Sequence, residues 1–405
     1  MKINLGQLVR ALSRSIDLVG VDEIQHGKRV AYMAQSCAET MKLDQDEASL
    51  IFRTGLLHDC GVSSSEVHRH LVGELEWPDS GLHCLLGAER MRQLPYFSPM
   101  ADIILHHHTR WEDLKKLSIP EKTKVYANLI FLVDRLDALA ASLPGADRLA
   151  GKDMLCNQVV DLCGTHFHPE LVDIFIESSN YESFWITMEP IHLEDFMANQ
   201  KVDLDEITVD TDGLMKIASL FAQIVDAKSQ YTAEHSCGVA VLSRYLAHKC
   251  GLSREECCKI EVAGLLHDLG KLQIPDKILE REDPLNGEEL AAMRHHSYVS
   301  YQILKKIQGF EDIALWTANH HEKLDGSGYP FHKTAEELCF ESRIITVADI
   351  FQALSQNRPY RKSQSREAVL EYLNNGAGKG QLDSELVKLV ASESQACYAL
   401  VTGLS

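Results

Sequence analysis

The sequence lacks a positive balance. Its 40 lysines and arginines are outnumbered by 59 aspartates and glutamates, a formal net charge of −19, which disfavours attachment to DNA, RNA or an anionic membrane surface through overall charge. Any anionic ligand must therefore meet a local cationic site. No window reaches the roughly 18 apolar residues of a membrane span, and the opening MKINLGQLVRALSRSIDLVG has no uncharged apolar run of the secretory kind. The eleven cysteines are an odd number without a CxxC pair, so neither a disulfide framework nor a zinc ribbon is indicated. These absences point to a reduced, cytoplasmic protein with neither a membrane nor a nucleic-acid polymer as partner. Strand signals are also few. The clearest is the alternating run FWITMEPIH at residues 184–192, which predicts one short, isolated strand.

What is present is apolar residue at helical spacing. Residues 24–41, 48–57, 215–227 and 239–246 repeat at three and four, the pattern of amphipathic helices. The 405 residues, 45% apolar, allow two or three domains at about 150 residues each. An acidic, aromatic-poor stretch at 193–211 carries Asp203, Asp205, Glu206 and Asp210 and reads as an interdomain connection. The expected organisation is all-α, with a domain at 1–195, an acidic linker at 196–212 and a second domain at 213–405.

Nineteen histidines in a chain with no tag or histidine-rich tract must be explained by position. In the first half they fall, with aspartates, at His26, His58-Asp59, His83, His107-His108 and Asp134. The second half has His235, His267-Asp268, His296, His320-His321 and Asp349. Successive intervals are 32, 25, 24 and 27 against 32, 29, 24 and 29. Flanking residues repeat as well: GLLHDCG at 55–61 against GLLHDLG at 264–270, and VDRLDAL at 133–139 against ADIFQAL at 348–354. A lone His-Asp dipeptide arises by chance on the order of once in such a chain, but a repeated seven-residue set indicates two fused copies of one helical domain.

Imidazoles and carboxylates without thiolates suit borderline divalent ions such as Fe, Mn, Zn or Ni. Five histidines and two aspartates exceed one tetrahedral site. They fit two ions about 3.5–4 Å apart, where a carboxylate can bridge and a shared water can be made acidic. Metal binding that only stabilises the fold is the alternative for either copy.

The second copy, through HDLGKLQIPDKIL at 267–279, MRHHSYVSYQIL at 293–304, HHEKLDGSGYP at 320–330 and RIITVADIFQALSQNRPYR at 343–361, closely resembles the HD-GYP family of cyclic dinucleotide phosphodiesterases within the HD hydrolase superfamily. The resemblance spans about residues 215–390; the first copy resembles an HD domain of the same lineage without the GYP signature. The resemblance implies that His235, His267, Asp268 and Asp349 hold one metal. Asp268 would bridge to a second ion held by His296, His320 and His321, with His295 a mere neighbour of His296. It implies two divalent ions, Fe or Mn ahead of Ni or Zn, and a metal-bridging hydroxide attacking phosphorus in line. Asp268 and Lys271 would be the catalytic residues, with Lys271 reaching a nonbridging phosphate oxygen. Lys323, Arg358 and Arg361 would supply positive charge, and Asp325, Gly326, Gly328, Tyr329 and Pro330 would form the substrate loop.

Departures from the family are specific. Gly238 stands where an arginine is usual, His332-Lys333 replaces Gly-Leu after the GYP segment, and Tyr231 occupies the place of a carboxylate linked with a third metal, so two ions are expected. In the first copy His26, His58, Asp59, His83, His107, His108 and Asp134 form the candidate second metal site, but Val62 replaces the lysine and HHTRWEDLKKLS replaces the GYP loop. A regulatory or structural role is expected there. The implied activity is opening of a cyclic dinucleotide, cyclic di-GMP first and 3′,3′-cyclic GMP-AMP as competitor, to linear pNpN with mononucleotides as a further product. Two alternatives stand beside it: a noncatalytic nucleotide-binding signalling protein, and an HD-type mononucleotide phosphohydrolase. A homodimer or a signalling partner protein is compatible with each.

Overall fold

The computed structural model describes residues 1–19, 25–62, 80–141, 148–200, 205–226, 230–281, 283–357 and 362–402. It divides into two compact units, residues 4–205 and residues 1–3 with 206–405. Both are helical, as the apolar spacing predicts, and the division falls within the acidic stretch.

In the N-terminal unit the helices are α1 (Leu5–Asp17), α2 (His26–Thr40), α3 (Gln45–Leu57), α4 (Ser80–Arg92), α5 (Ser98–His106), α6 (Trp111–Leu114), α7 (Glu121–Ala141), α8 (Lys152–Asp161), α9 (Pro169–Ser178), α10 (Glu182–Thr187) and α11 (Pro190–Ala198). Local chemistry sets their starts. The Asn4 side chain accepts from the Gln7 N–H at 2.9 Å and Asp44 from Glu47 at 2.9 Å, each satisfying a free amide of the first turn. Helix α7 is buried on almost every side, 15 of its 21 residues, as a central core helix must be. Helices α2 and α5 pack on it.

The C-terminal unit repeats that plan with α12 (Thr211–Asp226), α13 (Gln230–Lys249), α14 (Arg254–Leu266), a 3₁₀ turn (Leu269–Gln273), α15 (Asp276–Leu279), α16 (Gly287–Leu304), α17 (Glu311–Ala318), α18 (Phe340–Ser355), α19 (Arg366–Gly378), α20 (Ser384–Ser392) and α21 (Ser394–Thr402). Capping boxes at Ser253/Glu256 and Asn286/Glu289 open α14 and α16. Pair by pair, α2 with α3, α4 with α5, and α7 against α2 and α5 correspond to α13 with α14, α16 with α17, and α18 against α13 and α17. Among the described residues the only sheet is two-stranded, β1 (Lys2–Asn4) beside β2 (Glu206–Thr208); the Met1 backbone nitrogen donates to the Val209 carbonyl at 2.9 Å.

The strand expected at residues 184–192 is a correction. These residues form α10 and the start of α11, with Pro190 in the first turn of the new helix. Phe184, Trp185 and Met188 are all buried, a spacing of one and four that fits a helical face and defeats the alternating one. Trp185 also donates its indole N–H to the Ser179 carbonyl at 2.8 Å, which pins α10 to the end of α9.

One close approach recurs in both units. A Cβ on Gly61 would lie 1.9 Å from the His83 carbonyl oxygen, and one on Gly270 would lie 2.0 Å from that of His296. The glycine after each His-Asp pair therefore lets the turn press against the backbone of the helix bearing the next histidine. Gly270→Ala should force these apart, lowering stability by about 1–3 kcal/mol or more; urea unfolding followed by far-UV circular dichroism checks it, and an unchanged midpoint would refute the packing argument.

Candidate metal centre

The C-terminal cluster is assembled from the ends and middles of five helices and a 3₁₀ turn. His267 follows the last turn of α14 and Asp268 opens the 3₁₀ turn; His296 lies within α16, His235 on α13, His320 and His321 just beyond α17, and Asp349 on α18. His235, His267, Asp268, His296, His320 and Asp349 are buried, whereas His295 is exposed.

Four of the five imidazoles are oriented from behind. The Nδ1–H groups of His267, His296 and His320 donate to the carbonyls of Gly264, Met293 and Thr317, three residues earlier, at 2.7, 2.6 and 2.6 Å. His235 Nδ1–H donates to the Gln352 side-chain oxygen. With Nδ1 carrying the hydrogen, Nε2 presents a lone pair. Those lone pairs converge: the Nε2 atoms of His235 and His267 are 3.2 Å apart, as are those of His296 and His320. Two acceptors facing each other share no proton, so the arrangement calls for a cation between them. Asp268 divides its oxygens, Oδ2 lying 3.2 Å from His267 Nε2 and 3.7 Å from His235 Nε2, Oδ1 lying 3.4 Å from His296 Nε2. Asp349 does likewise, Oδ1 toward His235 at 3.2 Å and Oδ2 toward His321 Nδ1 at 3.8 Å.

Protonation suits the donor role. Burial pushes His296 down to about 4, His321 to about 3 and His320 well below its ordinary value, leaving neutral ligating imidazoles. Burial opposes charge on Asp268, but His267 and Lys271 outweigh it; burial also opposes charge on Asp349, where His235 does the same. Both carboxyls stay well below the usual range. His267 differs, since burial opposes its charge yet Asp268 raises it above its ordinary value. The neutral imidazoles of His296, His320 and His321, the ionised carboxylates and the converging ring nitrogens fit a pair of divalent ions.

Around the cluster, Lys271 Nζ lies 2.5 Å from Asp268 Oδ2. Tyr329 stacks on His321, ring centroids 4.8 Å apart, under the Arg294 guanidinium at 5.4 Å. Asp325 accepts from the Ser327 amide and hydroxyl at 3.0 and 2.6 Å, so it shapes the turn. Gly328 is buried, while Lys323, Gly326 and Pro330 are half-buried on the same loop. Arg358 and Arg361 lie outside the described residues, as does the Tyr231 side chain. His332 takes a left-handed backbone, φ 58°, the conformation glycine adopts freely and the place where the family resemblance implies a glycine.

Sequence reasoning missed three residues. Glu322, buried, accepts from the backbone amides of Phe331 and Lys333 at 2.6 and 3.1 Å and so ties both sides of the GYP loop together. Arg294 is the second. Gln352 is the third, and its signal was available: it stands three places after Asp349, where VDRLDAL carries Asp137.

The N-terminal cluster keeps the constellation. His26 and His58 Nε2 are 3.3 Å apart, His83 and His107 Nε2 3.3 Å, and Asp59 turns Oδ2 to His58 at 3.4 Å and Oδ1 to His83 at 3.6 Å. Asp134 turns Oδ1 to His26 at 3.2 Å and Oδ2 to His108 at 3.5 Å. Its surroundings differ. His26 Nδ1–H donates at 2.8 Å to Asp137, which Arg29 clamps at 2.7 and 2.8 Å. Burial works against charge on His26, yet Asp134 and Asp137 hold it up at about 10. The C-terminal unit replaces both partners together, Gln352 for Asp137 and Gly238 for Arg29; a Cβ on Gly238 would lie 2.7 Å from Gln352 Cγ. The missing charge at 238 is thus one half of a paired replacement.

Two helical units, each gathering five imidazoles and two carboxylates at corresponding places, define a tandem HD-type protein with clusters that could hold metal ions. Residues 24–139 and 219–386 each match the HD domain family. A 3′3′-cGAMP-specific phosphodiesterase 1 of Vibrio cholerae is 38% identical over 98% of this chain and 94% of its own. A cyclic di-GMP phosphodiesterase response regulator of Xanthomonas campestris pv. campestris is 40% identical over 33% of this chain and 36% of its own. The crystal structure of a cyclic GMP-AMP-specific phosphodiesterase of V. cholerae superposes with a TM-score of 0.66 at 22% identity, covering 100% of this chain and 99% of that one, and so shares the fold. The chain belongs to the HD-GYP family, with a tandem N-terminal HD domain that lacks the GYP motif. No helix among the described residues is long and apolar enough to cross a membrane.

Adding a side chain at 238 would push Gln352 away from His235. Gly238→Ala should weaken manganese binding about 10–100-fold, the usual cost of losing such an orienting bond, with helical content unchanged. Competition against a chelating dye measures it; undiminished affinity would show that Gln352 does not orient His235.

Proposed function

We propose that the C-terminal unit is a metal-dependent phosphodiesterase that opens 3′3′-cGAMP, and cyclic di-GMP less readily, to the linear pNpN form. The observation that carries this reading is the Asp268 carboxylate, which shares its two oxygens between two groups of converging imidazoles. The GYP resemblance alone favours cyclic di-GMP. A relative matched along 98% of the chain is named as 3′3′-cGAMP-specific, whereas the cyclic di-GMP phosphodiesterase of Xanthomonas covers 33% of it, which supports putting 3′3′-cGAMP first.

His235, His267, Asp268 and Asp349 would hold one ion, and Asp268, His296, His320 and His321 the other, with Fe or Mn favoured. Bound there, such a pair supplies an acidified water and positive charge for a phosphodiester. The protein supplies the rest. Lys271, beside Asp268 and partly exposed, meets a nonbridging phosphate oxygen and offsets charge that grows in the transition state. Tyr329, held between His321 and Arg294, walls the site. Glu322 fixes the loop so that this wall keeps its position. The N-terminal unit, with donors but no GYP loop or lysine, serves a regulatory or structural role.

The test incubates manganese-loaded full-length protein with each cyclic dinucleotide and resolves products by chromatography. Linear product should form from 3′3′-cGAMP faster than from cyclic di-GMP. Asp268→Ala should abolish turnover, and Lys271→Ala should lower kcat about 10²-fold with bound manganese unchanged. Both substrates intact in every tube would sink the proposal in favour of a noncatalytic sensor.

A further inference from the structure

We infer that the N-terminal cluster takes one divalent ion, at its His26, His58, Asp59 and Asp134 end, and that the Arg135 guanidinium occupies the cationic place a second ion would need. This rests on reading the paired clusters as metal sites.

The geometry differs at one carboxylate oxygen. In both units the final aspartate turns Oδ1 toward the first pair of histidines and Oδ2 toward the last histidine of the set. In the N-terminal unit that Oδ2 is already taken: Arg135 Nη2 lies 2.8 Å from it and Nε 3.1 Å. Arg135 is 1% exposed, so this permanent charge is shielded by protein rather than water, and it repels a dication brought to the same oxygen. The matching position in the C-terminal unit is Ile350, which leaves Asp349 Oδ2 to His321.

A second, independent observation concerns His83. Its C-terminal counterpart, His296, has Nδ1 tied to a carbonyl. Among the described residues His83 Nδ1 is buried without a hydrogen-bond partner, so no bond from behind aims its ring as the Met293 carbonyl aims that of His296. The opposite end of the cluster is reinforced, because His26 is backed by the Asp137 carboxylate that Arg29 clamps. One post is strengthened and the other is filled by an arginine.

Metal stoichiometry tests this. Full-length protein is loaded anaerobically with Mn(II), freed of excess by gel filtration and analysed by mass spectrometry for manganese per chain. Three ions are expected in the wild type, two in Asp59→Asn and four in Arg135→Ile. Arg135→Gln, which keeps a donor for Asp134 without the charge, should also give four and stands in should the isoleucine variant not fold. Electron paramagnetic resonance of the wild type should show an isolated Mn(II) signal that Asp59→Asn removes. Four ions in the wild type, the same count in wild type and Asp59→Asn, or three ions in both Arg135 variants would overturn the inference. Absence of manganese from every variant would instead mark failure of the underlying metal reading. Loss of cyclic dinucleotide hydrolysis alone would leave this inference standing.

Discussion

A histidine can offer a lone pair inside a protein only if its other nitrogen is already satisfied, and the fold is arranged around that requirement. In both units, histidines at or just past helix ends donate Nδ1–H to the carbonyl three residues earlier. The helix terminus, which has carbonyls to spare, thus serves as the fixture that aims the ring. Shifting any of these helices by one residue would turn its imidazole about 100° away from the cluster. The helix boundaries and the chemistry of the site are therefore one constraint, and the buried central helices α7 and α18 close it by delivering a carboxylate to the same point.

Charge distinguishes the two copies more than donor identity does. The N-terminal cluster answers its carboxylates with guanidinium groups, Arg29 on Asp137 and Arg135 on Asp134. Around the C-terminal cluster the described cation in contact is Lys271 on Asp268, and Gln352 presents a neutral amide where its counterpart is an acid. Buried carboxylates without fixed counter-charge are costly, and that cost is what a bound cation relieves. Conversely, a cluster neutralised by arginines can fold without one. Duplication followed by a few exchanges at the second rank of residues separates a unit suited to chemistry from one suited to stability or control.

Much of this was legible in the sequence, for physical reasons. Spacing of 32 and 24 between histidines survives in both copies because it counts turns of helix between fixed points, and the all-α class follows from apolar periodicity. The alternation at residues 184–192 misled because Phe184, Trp185 and Met188 also satisfy a helical face, and only packing against the core decides between the two. Gln352, Arg135 and Glu322 escaped notice because folding sets their meaning: it brings His235 to Gln352 from 117 positions away and buries Arg135 against its neighbour Asp134. The first two were nonetheless visible as differences between VDRLDAL and ADIFQAL, had the repeat been compared for its mismatches as well as its matches.

The two-stranded ribbon has a consequence for how the chain is made and cut. Its partners are residues 2–4 and 206–208, and residues 1–3 belong with the C-terminal unit. The whole N-terminal unit is therefore an insertion, threaded between the opening residues of the C-terminal unit and the remainder of it. During synthesis the first strand must wait for some two hundred residues before its mate exists. A fragment begun at residue 196 or 213 would leave behind the opening residues, and the former would carry β2 with a bare edge, open to pairing with another chain. Carrying residues 1–3 into such a fragment through a short linker would restore the missing border.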